Sequence, residues 1–142
     1  IRSEDVVIVV SHSGINPLPI EVALCAKKKG ALIISITSIN ASKKLTSRHK
    51  SRLHLFEIAD INLDTLTPEG DAAMKVGNMQ PKIGPTSTMA SVALVQSLVY
   101  KIVEKMYNQG IPCDIRISSN IEGGLQENLS KHNKYADRIY RI

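Results

Sequence analysis

The sequence predicts an α/β protein built on a parallel sheet, and three observations predict it. Two short runs, Val6–Val10 and Leu32–Ile36, are almost wholly β-branched or aliphatic and lack the alternation of a half-exposed strand. Between them lies a segment with both a helix start and a helix stop. A strand, a crossover helix and a second strand form the unit from which parallel sheets are made.

The elements follow in order. Val6–Val10 has the composition of a strand covered on both faces, and it runs into Ser11-His12-Ser13-Gly14-Ile15-Asn16-Pro17. Asn16 is placed as an N-cap, and Pro17 suits the first helical position, where its missing N–H costs nothing. Ile20, Ala23 and Leu24, flanked by Val22 and Ala26, form an apolar stripe up to Lys29. Cys25 falls in that pattern and reads as a small buried hydrophobe. Lys27, Lys28 and Lys29 complement the negative end of the helix dipole, and Gly30 supplies the left-handed stop. The strand Leu32–Ile36 follows, then a basic stretch in which a short helix is expected around Leu45–His49. Ile61-Asn62-Leu63 reads as a third strand, Thr67–Asp71 as a turn and Ala72–Val76 as a further strand. The stretch with Gly77, Asn78, Pro81, Gly84 and Pro85 shows no regular period.

The longest element opens at Thr86-Ser87-Thr88 and runs to about Asn108, with Gly110 and Pro112 as stops. Its apolar residues, Val92 to Val103, wrap most of the circumference, so it is expected under other elements or in a subunit interface. Ser91, Gln96, Ser97 and Lys101 keep it short of a membrane span. A last helix, roughly Leu125–Tyr140, has Leu125, Leu129, Ala136 and Ile139 on one stripe. Asn128, His132, Tyr135 and Arg138 lie on a neighbouring polar one.

Composition narrows the functions. The 142 residues fit one domain or most of one, and 43% are apolar, which excludes a disordered chain. Only 4% are aromatic and Trp is absent, too few rings for a base-stacking module. The net charge of +5 comes from Lys43, Lys44, Arg48, Lys50 and Arg52; the basic and acidic residues outside that run are equal in number. Such a run is a solvated loop, a phosphate holder or an attractor of acidic partners. It is too local for a DNA-binding face, so no direct nucleic-acid binding is expected. Cys25 and Cys113 have no partner spacing, and no signal peptide is visible, which suits a cytoplasmic setting. Ile1 is not a start methionine, so a processed chain or a missing front part is expected.

Chemistry concentrates where the first strand ends. In an open parallel sheet, ligands bind beyond the carboxyl ends of the strands. Ser11-His12-Ser13-Gly14 brings two hydroxyls, backbone amides and a helix N-terminus together, which suits a phosphate monoester. Gly14 lets backbone approach a ligand closely. Ser and Asn also cap helices with no ligand at all. His49 and His54 lack carboxylates at ligand spacing, so no metal is expected. Neither G-x-S-x-G nor G-x-G-x-x-G occurs, and no cofactor is expected.

The order of Asp5-Val6-Val7-Ile8-Val9-Val10-Ser11-His12-Ser13-Gly14, Lys27-Lys28-Lys29-Gly30-Ala31 and Ile33-Ile34-Ser35-Ile36-Thr37-Ser38 resembles the sugar isomerase (SIS) domain. Thr86-Ser87-Thr88 opening the long helix is similar to the helix start of SIS proteins. Ser119-Asn120, Glu127-Asn128, Tyr135 and Arg138 resemble a phosphoheptose-isomerase-like bacterial subgroup. The resemblance implies a three-layer α/β/α sandwich of flavodoxin-like topology that binds a phosphorylated sugar, as a dimer or tetramer. By the same resemblance, the phosphate ligands are Ser11, Ser13 and Asn16, with help from His12, and Ser87 and Thr88 face the sugar. SIS domains begin with a further strand and loop, so residues 1–142 are expected to be the C-terminal portion of one SIS-type domain. Two activities remain open: an aldose–ketose isomerase and a non-catalytic phosphosugar sensor. Isomerisation needs a proton carrier, for which Glu69, after the third strand, and His132, on the last helix, are the candidates.

Overall fold

The computed structural model describes residues 1–138. They fall into two compact units, one ending at Leu98 and the other beginning at Val99, and the division lies within the longest helix. In the first unit, β1 (Val6–Val10), β2 (Leu32–Thr37) and β3 (Ile61–Asp64) form a parallel sheet in the order β1-β2-β3. Val7 pairs with Ile33 and Val9 with Ser35; on the other side of β2, Ser35 pairs with Asn62 and Thr37 with Asp64. This is the expected α/β class with parallel strands.

Helix α1 (Pro17–Lys28) crosses from β1 to β2. Ile20, Ala23 and Ala26 recur at helical spacing and are fully buried. They pack with Val9, Ile33, Leu55 and Ile58 to form the core of this unit. Burial of this kind is the main force holding the helix to the sheet. Lys27 secures its far end, donating to the Ile58 carbonyl (2.7 Å) and to Asp60 (3.1 Å). Asp60 also accepts the Ile33 amide at 2.8 Å, and these hydrogen bonds hold its carboxyl below the ordinary range. Cys25 departs from expectation: it is exposed, because the buried stripe runs through Ile20, Ala23 and Ala26 and leaves position 25 on the outer face.

The basic stretch folds differently from its sequence reading. The helix lies at α2 (Ile39–Lys43), and residues 45–54 form an irregular loop. Side chains hold that loop in place. Ser47 Oγ donates to the Leu53 carbonyl (2.7 Å), and the buried His49 meets Glu21 of α1 through Nε2 (2.9 Å) and Ser51 Oγ through Nδ1 (2.7 Å). Helix α3 (Leu55–Ile58) follows, with Glu57 turning back to accept the His54 amide at 2.7 Å. Beyond the turn at Glu69 and Gly70, β4 (Ala72–Met74) stops before Val76. It pairs antiparallel with β5 (Ile83–Pro85), a strand inside the stretch that showed no period.

Helix α4 (Ser87–Asn108) matches the predicted span. Its apolar circumference is not covered: Val92, Val99 and Ile102 are each about half exposed. The outer face of β1 is similarly open, with Val6 56%, Ile8 42% and Val10 51% exposed. No helix of the described residues is long and apolar enough to cross a membrane.

In the second unit, α5 (Gly124–Lys134) is shorter than expected; Ile139 and Tyr140 lie outside the described residues. Its inward side is polar. Leu125 and Leu129 are exposed, whereas Asn128 is buried. The Asn128 amide donates to the Ile117 carbonyl (2.7 Å) and accepts the Ile117 N–H (3.1 Å), which makes burial of the polar group affordable.

Candidate functional site

The loop after β1 is shaped from beneath. Ser11 N–H donates to the Ile36 carbonyl (3.0 Å), and the His12 carbonyl accepts from Ser38 N–H (2.9 Å) and Thr37 Oγ1 (3.0 Å). These bonds prolong the β1–β2 ladder beyond the last strand residue. The chain then reverses at Gly14, whose φ of +59° is left-handed and whose N–H folds back onto Ser11 Oγ at 3.3 Å. A Cβ at Gly14 would lie 3.0 Å from Thr37 Oγ1 and 3.3 Å from Leu55 Cβ and Ser42 Oγ, so the glycine lets the loop pack closely onto β2, α2 and α3.

Ser11 and His12 form one wall of a cleft of about 440 Å³, with Val10 beside them. Ser87, Thr88 and Ser91 from the start of α4 form the facing wall, and Val92, Val95 and Gln96 continue it. Four of the residues singled out from the sequence, Ser11, His12, Ser87 and Thr88, therefore share one cleft. Ser13, Gly14 and Asn16 lie on the same loop but outside the cleft lining. Glu69 is not in the lining either; its carboxylate is exposed, 3.4 Å from Lys44 Nζ. His132 belongs to the second unit, where it borders a separate cavity of about 510 Å³ with Met106, Asp114, Arg116 and Tyr135.

Asp71, which the sequence marked only as the end of a turn, sets the position of the α4 start. Its Oδ1 accepts Thr86 N–H (2.9 Å) and Ser87 N–H (2.6 Å), and its Oδ2 accepts Ser87 Oγ (2.6 Å). Partial burial pushes its carboxyl up. The bonds from Ser87 and Thr86, with the nearby His12, outweigh that and hold it below the ordinary carboxylate range. The residue sits fifteen positions before Thr86 at a left-handed φ of +67°, so no local capping motif reveals it. Ser87 Oγ is committed to Asp71, which leaves Thr88 as the freer hydroxyl of the pair.

The His12 ring is held away from the loop by Thr67. Its Nδ1 lies 3.0 Å from Thr67 Oγ1, which lies 2.8 Å from Thr65 Oγ1, while Ser38 Oγ donates to the Thr67 carbonyl (2.6 Å). His12 Nε2 is buried and has no partner among the described residues. Asn16 occupies the N-cap position of α1, but its side chain makes no capping bond; Asn16 Oδ1 instead accepts Arg48 Nη1 at 3.2 Å. Among the described residues no three His, Cys, Asp or Glu side chains are grouped to hold a metal ion.

Residues 1–38, which include β1, the loop, α1 and β2, match the SIS domain family. Over 141 residues the chain is 36% identical to a UPF0309 protein of Listeria monocytogenes, covering 99% of the chain and 60% of that relative. It is 41% identical over 139 residues to UPF0309 proteins of Geobacillus thermodenitrificans and Listeria innocua, covering 98% of the chain and 56% of each relative. The chain therefore spans somewhat more than half the length of these relatives.

Proposed function

We propose that this chain is part of a single SIS-type domain that binds a phosphorylated sugar and isomerises it between aldose and ketose forms. The observation that supports this reading best is the loop after β1. It faces the hydroxyls that open α4 across one cleft, in the segment that matches the SIS family. The phosphate would meet Ser11, Ser13 and the His12 amide at the positive end of α1, with Asn16 beside them. The sugar would extend toward Thr88 and the Ser87 backbone, over Val92 and Val95. That division suits an amphiphilic ligand, because a pyranose or open-chain sugar presents C–H surface to apolar side chains as well as hydroxyls to polar ones.

Isomerisation moves a proton between adjacent carbons and needs a ring-opening acid and a base. Glu69, on the loop after β3, and His132 contributed by a neighbouring copy are the proton carriers in this proposal. A homo-oligomer is its working form, for which the uncovered apolar surface of α4 is the support.

The test is calorimetry on the full-length protein with a panel of hexose and heptose phosphates. Ser13→Ala should cost on the order of 1.5–3 kcal/mol of binding, the worth of a charge-assisted hydrogen bond. Unchanged binding in that variant would remove the phosphate assignment. Hydrogen–deuterium exchange at the second carbon of a bound ketose phosphate, followed by NMR, tests the reaction. Exchange supports an isomerase, and binding without exchange identifies a phosphosugar sensor.

A further inference from the structure

We propose that Arg48 is a phosphate-binding residue of this site, supplying the charge that the start of α1 is poorly equipped to provide. The inference rests on the phosphosugar reading above and goes beyond the matched family segment, which ends at residue 38.

The first turn of α1 has few donors. Pro17 and Pro19 stand at its first and third positions, so two of the amides that a helix N-terminus normally offers an anion do not exist. The first turn also has no acidic residue to compete for a ligand, and Asn16 leaves the remaining amides uncapped.

Arg48 is brought to this point by two contacts. Its backbone N–H donates to the Ile15 carbonyl at 2.9 Å, and its guanidinium donates to Asn16 Oδ1 at 3.2 Å. The residues on either side are buried. Ser47 is tied to Leu53, and His49 is tied to Glu21 of α1, so the backbone presenting Arg48 is fixed on the same helix. The Glu21 carboxylate is already occupied by His49 Nε2 (2.9 Å) and Lys50 Nζ (3.2 Å). Arg48 makes no ion pair among the described residues. One Nη1 bond to a neutral amide leaves most of the five guanidinium donors free. A planar, permanently charged fork with open donors, bonded to Asn16 of the loop that carries Ser11 and Ser13, can match two phosphate oxygens at once.

The experiment compares wild type, Ser13→Ala, Arg48→Gln and Arg48→Lys of the full-length protein. The probes are fructose 6-phosphate, inorganic phosphate and unphosphorylated fructose. Gln keeps a donor for Asn16 without the charge; Lys keeps the charge without the fork. Arg48→Gln is expected to weaken both phosphate probes at least tenfold and to leave fructose binding and melting temperature unchanged. Arg48→Lys should recover part of the loss, and the salt dependence of binding should be shallower in the Gln variant. If Ser13→Ala loses phosphate binding while Arg48→Gln binds like wild type, the role of Arg48 is overturned and the phosphosugar reading stands. A lowered melting temperature in both Arg48 variants, with binding intact at low temperature, also overturns it. If wild type binds neither phosphate probe, both readings fall.

Discussion

Removing the Asp71 carboxylate strands three donors at once, the amides of Thr86 and Ser87 and the Ser87 hydroxyl. Its effect on stability has a definite sign with pH. The carboxyl lies below its ordinary value when folded, so its contribution is present above the ordinary carboxylate pKa and is lost as pH falls through the depressed one. Wild type should therefore lose stability faster on acidification below roughly pH 5 than Asp71→Asn, and the two curves should converge once the carboxyl is protonated. Urea unfolding across that range measures the difference; parallel curves would mean that the bonds at Asp71 contribute nothing. At this scale the sequence was only partly legible. Ser11, His12, Ser87 and Thr88 were readable because strand ends and helix starts announce themselves locally. Asp71 and Thr67 reach the cleft residues Ser87 and His12 across loops, and no spacing rule connects them to it.

Elements were most legible where local pattern and tertiary burial agree. In α1 the residues at helical spacing, Ile20, Ala23 and Ala26, are those the core encloses, and β2 is a nearly continuous aliphatic run that the structure buries; β1, read as covered on both faces, instead leaves Val6, Ile8 and Val10 exposed. A prediction separates the two faces of α1. Ile20→Ala should destabilise the protein by about 2–5 kcal/mol, as a deleted core side chain does. Leu18→Ala, at an exposed position of the same helix, should stay within about 0.5 kcal/mol of wild type. Equal effects in denaturant titration would contradict the packing described. The short elements α2 and β5 were not legible because long-range partners make them. Helix α2 starts where Ile39 N–H finds Asp64 Oδ1 (3.2 Å), and β5 exists only as the partner of β4. In α5 the apolar stripe suggested the buried face, yet Asn128 is the residue buried. An amide that closes both hydrogen bonds of Ile117 outweighs the preference for burying Leu125 or Leu129.

For the molecule as a whole, the outer face of β1 and the side of α4 leave aliphatic surface open to water. Among the described residues β1 lies at the edge of its sheet, paired only with β2. An apolar edge of this kind recruits other chains. Residues 1–142 expressed alone should associate with rising concentration in sedimentation velocity, and Val6→Lys with Ile8→Thr should reduce that association without loss of helical content. Concentration-independent sedimentation of the unaltered chain would count against it. The reversal at Gly14 has a different reach. The same backbone turn that carries Ser13 is wedged against Thr37, Ser42 and Leu55 at Gly14. A relative that binds no sugar phosphate would still be under pressure to retain the glycine, because the alternative is a folding defect, while the neighbouring serine would be released to drift. Under the proposed function, a preserved bend with a substituted hydroxyl would thus mark a relative that does not recognise the phosphate, whereas the bend alone would say nothing about recognition.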